Sequence, residues 1–159
     1  MIGAHLAVHV ALGLVAAVAM NYPMARQPLG FVPAFVAGSI LSRRRSSAVP
    51  REVALVVHHA AGGLAGLLYG LLTLAVAAVG VVPAPTAPTA LVVGGVLVYA
   101  VLVGFFQHVA LRLADLDLDG HDAAGHDDPR RVVLASWVRS AGSYAIVLVA
   151  LAVGVSAIR

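Results

Sequence analysis

The sequence predicts an all-α integral membrane protein: a bundle of four transmembrane helices with a short interfacial or re-entrant half-helix after the first span. Three observations carry this. Of 159 residues, 61% are hydrophobic and only 11% are charged, against about 25% charged in an ordinary soluble domain. Mean hydropathy is +0.98. The apolar residues also fall into four runs, each long enough for the ~20 residues that a bilayer core requires. A soluble fold of this size needs a mostly polar exterior, and this chain has too few polar residues to make one. Length allows a single domain, residues 1–159.

The first run, about 2–20, is apolar from Ile2 to Met20. No Lys or Arg precedes it, so the charged head of a signal peptide is missing and the segment reads as a retained helix. The second run, about 53–81, has length to spare. The third, about 89–111, ends at Arg112, and the fourth, about 132–158, contains Arg139. Between the first two lies "NYPMARQPLGFVPAFVAGSIL". Its apolar part, 31–41, is too short to cross, and Pro28 and Pro33 should break it further. A half-helix accommodates this, since irregular backbone in a membrane must meet protein or water. The other possibility is that 31–41 crosses a thinned bilayer, which would reverse the side of the N-terminus.

Charge sets the orientation. Loop 42–52 carries Arg43, Arg44, Arg45 and Arg51, whereas "VVPAPTAPTA" at 81–90 carries none. The positive-inside rule puts loops 42–52 and 112–131 in the cytoplasm, and makes this a multi-pass protein of the cell membrane. The sequence pI near 10.0 therefore reflects topology and anionic headgroups rather than nucleic acid. There is no Cys, so disulfides and thiolate metal sites are excluded. All ten basic residues are Arg. With the excess of Asp over Glu and of Ala, Val and Gly, this points to a high-GC genome such as a halophilic archaeon's.

Gly62, Gly66 and Gly70 recur every fourth residue and so share one helical face. Without side chains there, another helix can approach closely, the main source of helix association in lipid. The ladder predicts a packing face, without specifying whether the partner is in the same chain, in a homo-oligomer or in another membrane subunit. His59 is placed on the ladder face and His108 on the small-residue stripe of the third span. Counted from Arg51, Arg112 and Arg131, His59, His108 and Arg139 fall at one depth. They predict a polar cluster near the inner boundary, either bonding across helices or binding a proton, ion or ligand.

Weaker constellations complete the inventory. His5 and His9, spaced i, i+4, could hold a metal through two imidazoles but lack further ligands. His59 and His108 could ligate a b-type haem. The loop "DLDLDGHDAAGHDD" in 115–131 begins like a calcium loop through Asp115, Asp117, Asp119 and Gly120, with His121 and His126 as further cation ligands, yet lacks the closing Glu. No cofactor is required by the sequence. No nucleophile motif or paired catalytic carboxylates lie in the spans, and "GGLAG" neither follows a strand nor has dinucleotide-loop spacing.

The segments "MNYPMARQP", "HHAAGGLAGLLYGLL" and "FFQHVALRL" resemble the YagU-type family of small prokaryotic inner-membrane proteins, over most of residues 3–111. That resemblance implies a multi-span membrane protein and transfers no catalytic residue. The expected function is therefore a non-enzymatic transporter, channel-like or scaffold subunit; the alternative is a small membrane redox or metal-binding protein.

Overall fold

Proline opens three of the four long helices. Pro50 is the N-cap residue before α3 (Arg51–Ala78), Pro88 is the first residue of α4 (Pro88–Leu113), and Pro129 is the first of α5 (Pro129–Ala157). Proline suits that position because its missing N–H would have no intrahelical partner there anyway. The start of α5 is further secured by Asp128, whose carboxylate accepts from the Arg131 backbone N–H at 3.1 Å. The computed structural model describes residues 2–80, 82–114 and 127–158, and every regular element among them is helical.

With α1 (Ile2–Ala25), four helices are long and apolar enough to cross a bilayer, the architecture of a multi-pass membrane protein. α1 outruns its expected end at Met20 by five residues, because Pro23 sits within its last turn. There the lost hydrogen bond and the clash with the preceding turn fall at the fraying end. α3 begins at Arg51, α4 at Pro88 and α5 at Pro129, each slightly before its apolar run. The last residues assigned to the acidic loop, Pro129–Arg131, thus form the first turn of α5.

The half-helix is α2 (Val32–Ser42). Its 11 residues rise about 16 Å, roughly half of a hydrocarbon core. Pro33 lies in its first turn and starts the helix rather than breaking it. α2 ends at Arg43, held in the left-handed region at φ 53° while its N–H closes on the Ser39 carbonyl. Val32 and Val36 pack with Phe106, Leu111 and Val133, from the end of α4 and the start of α5. Gly38 meets Ala54 and Val49 beside the start of α3. α2 therefore caps one end of the bundle, the end that bears Arg43–Arg45, Arg51, Arg112, Arg130 and Arg131. The opposite end bears Pro83, Pro85 and Pro88.

α1 and α4 run towards the arginine end; α3 and α5 return. Cross-helix bonds fix this antiparallel register, with His5 beside Thr73 and Asn21 beside His59. Met20, Met24, Tyr69, Leu91, Tyr144 and Leu148 fill the centre. Many large apolar side chains face outward, among them Val56, Leu64, Val96 and Ile146. That distribution suits helices surrounded by lipid.

Candidate functional site

The ladder glycines lie against α1. A Cβ on Gly13 would sit 2.5 Å from the Gly62 carbonyl oxygen and 2.7 Å from Gly66 Cα. One on Gly62 would run into the Ala17 methyl group, and one on Gly66 into the His9 carbonyl oxygen. A Cβ on Gly70 would lie 3.1 Å from His9 Cβ. Here two backbones nearly touch, and only residues without side chains allow it.

Polar side chains bracket this dry contact on both sides. Towards the proline end, the Thr73 hydroxyl donates to the Gly70 carbonyl at 2.9 Å. Its oxygen is then free to accept from His5 Nε2 at 3.0 Å, which assigns the His5 proton to Nε2. His9 Nδ1 donates to the His5 carbonyl at 2.7 Å. The two imidazoles lie 4.2 Å apart, and His9 is 5.2 Å from the Tyr69 ring. Tyr69 itself donates to the Leu91 carbonyl at 3.0 Å. Each imidazole of the proposed metal pair is thus engaged across or along the helices.

Towards the arginine end, His58 Nε2 faces the Ala17 carbonyl at 3.4 Å. Asn21 Nδ2 donates to His59 Nε2 at 3.0 Å. The two histidine rings are 5.2 Å apart. From α5, Tyr144 donates its hydroxyl to the Gly62 carbonyl at 2.7 Å, and Trp137 Nε1 donates to the Leu102 carbonyl at 3.1 Å. His58, Trp137 and Tyr144, though not Asn21 or His59, line a cavity of about 50 Å³, to which α1 contributes Ala17 and Met20, α3 Gly62 and Ala65, and α4 Leu102. All four long helices meet there. Just beyond it, Gln27 Nε2 donates to Ser140 Oγ at 3.4 Å and Ser136 Oγ to the Pro28 carbonyl at 2.7 Å.

Two amide oxygens in this region, Asn21 Oδ1 and Gln27 Oε1, are buried without a partner among the described residues. Turning the Asn21 amide over exchanges its oxygen and nitrogen, so one end lacks a protein partner in either orientation. A buried amide oxygen accepts readily and costs free energy when unpaired.

His59, His108 and Arg139 are not joined by any hydrogen bond or ring contact among the described residues. His59 is half-buried against Asn21, whereas His108 and Arg139 are exposed. His58, only 7% exposed, is the more buried of the adjacent pair. Helical geometry accounts for that: four residues before Gly62 lies about 40° from its direction, three residues before lies about 60° away. His108 falls within a π-helical turn, Phe106–Ala110. The stripe it shares with Leu97 and Val101 already faces outward before that turn, away from the buried side on which Gly94 faces Tyr69 and Thr73. Among the described residues there is no group of three or more metal-ligating side chains. Asp115, Asp117, Asp119, His121 and His126 lie outside the described residues. No family model, curated protein or solved structure matches the chain.

Proposed function

We propose that the chain is a non-enzymatic transporter or channel-like subunit whose guest is a small hydrogen-bond donor or cation. It is oriented with its arginine end in the cytoplasm. The observation that carries this reading is the cavity at the meeting of the four apolar helices, with mainly apolar walls into which His58, Trp137 and Tyr144 bring polar groups. Polar groups inside a membrane are expensive and by default mark a functional path. A cavity of about 50 Å³ has room for a few water-sized guests, each needing at least roughly 10–15 Å³ on this measure. The unpartnered oxygens of Asn21 and Gln27, outside the cavity's lining, are buried acceptors between it and the arginine end for a donor such as water, hydronium or ammonium. A second polar layer, His5, His9 and Thr73, lies beyond the glycine contact, about 12 Å along α1. Two polar layers divided by a dry contact suit stepwise passage, with opening of that contact as the controlled event.

Reconstitution tests this. Vesicles loaded with a pH-sensitive dye and containing the protein should conduct protons, ammonium, sodium or potassium faster than protein-free vesicles. Asn21→Leu should abolish the difference while leaving the folded yield intact. Wild-type vesicles indistinguishable from empty ones for all four ions would leave a scaffold, in which the same bonds serve helix pairing.

The redox alternative is poorly supported. His59 Nε2 is engaged by Asn21 and His108 is exposed on the π turn. Kinship with YagU-type proteins is proposed on the quoted residues and assigns no site.

A further inference from the structure

Beside the arginine end of the bundle, α4 and α5 enclose an open pocket of about 380 Å³ that the transport reading leaves unused. α4 contributes Gln107, His108 and Arg112; α5 contributes Arg130 and Arg131, with Asp128 at its cap. Leu111 and Leu134 form an apolar wall. Among the described residues, three guanidiniums and one carboxylate line the pocket, and that carboxylate is already committed to capping α5 through the Arg131 N–H.

We infer that this pocket seats the phosphate headgroup of an anionic membrane lipid. Three independent features converge on it. The guanidiniums come from two different spans, so the pocket is built by the tertiary fold and not by one basic stretch of chain. The π turn Phe106–Ala110 holds Gln107 and His108 on the same pocket as Arg112, and such turns recur at functional sites. The mixture of cationic groups and leucines matches an amphiphile, whose phosphate pairs with arginine forks while the start of its acyl chain lies along the wall. The pocket's position at the ends of two membrane-crossing helices is where a leaflet's phosphates lie, and basic pockets between helix ends are suited to such headgroups.

The decisive experiment is native mass spectrometry of the detergent-purified full chain with added phosphatidylglycerol or phosphatidylcholine. Wild type should retain phosphatidylglycerol preferentially. Each guanidinium near a phosphate is worth roughly a fivefold change in binding, so Arg112→Gln with Arg131→Gln should lower retention roughly tenfold or more. Arg43→Gln with Arg44→Gln, which removes the same charge outside the pocket, should change it little. Millimolar inorganic phosphate should not displace the lipid. No preference for phosphatidylglycerol, equal losses in the two double variants, or displacement by free phosphate would each overturn the assignment. Melting curves of both double variants separate lost binding from lost folding: a pocket variant that melts like wild type yet retains lipid equally also contradicts it.

Discussion

The α1–α3 and α4–α5 interfaces use the same small residues to opposite ends. Between α1 and α3, added methyl groups at Gly13 and Gly66 would meet backbone atoms. Between α4 and α5, a Cβ on Gly142 would lie 3.8 Å from its nearest neighbour, Tyr99 Cε2, and one on Gly95 would meet only the Val149 side chain. A Cβ added to Gly104 or Gly154 would have no neighbour within 4 Å among the described residues. Trp137 stacks on Phe106 with centroids 4.8 Å apart and ties α5 to α4 near the arginine end. Further along, an apolar groove of about 440 Å³, lined by Gly95, Tyr99, Gly142 and Ile146, stays open at the surface. Lipid gives helices no hydrophobic reason to pair, so contact must come from close packing and hydrogen bonds. α1 and α3 have both; α4 and α5 have an aromatic clasp and a loose seam. A glycine therefore indicates where helices can touch, and the facing backbone decides whether they do.

The largest expected effect breaks the tight interface. Gly66→Leu forces the His9 carbonyl and Gly13 apart, and overpacking of this kind costs about 3 kcal/mol or more. The variant should lose its folded, monodisperse form in detergent, and an unchanged melting curve would show that α1 and α3 are not in backbone contact. A middle effect sharpens the polar half of the same interface. In a cycle of Asn21→Leu and His59→Leu, the coupling energy should be about 0.5–1.5 kcal/mol, the range for hydrogen bonds between membrane helices; additive losses would mean that the bond is absent. The smallest effect belongs to the loose side. Gly104→Ala adds a methyl group into open space and should shift stability by no more than about 0.5 kcal/mol. A large destabilisation there would erase the contrast between the two interfaces.

The sequence makes the four spans legible because each must satisfy its own backbone within a run of apolar residues, a local demand. Boundaries shift where one residue has two roles: Pro23 ends some helices and is carried inside α1, and Pro33 starts α2. The site is only half legible. The histidines stand out as ionisable groups in an apolar run, but Asn21 and Gln27 flank prolines and read as loop. Tyr144 and Trp137 read as ordinary membrane aromatics. Their roles depend on which carbonyl faces them, Gly62 or Leu102, and no spacing along one helix encodes that. His108 shows the same limit, since the stripe of small residues through Leu97 and Val101 that leads to it faces outward, and only the packing of α4 reveals that. The one signal that could have found Asn21 is a longer α1, which sets it opposite His59.

The central claim is that four helices cross the bilayer while α2 stays at one end. Because the chain has no cysteine, single-cysteine variants report the topology directly. In sealed vesicles, an impermeant maleimide should label Arg44→Cys and Asp127→Cys from one side and Thr86→Cys from the other. Labelling of all three from the same face, or of Arg44→Cys and Asp127→Cys from opposite faces, would contradict the account.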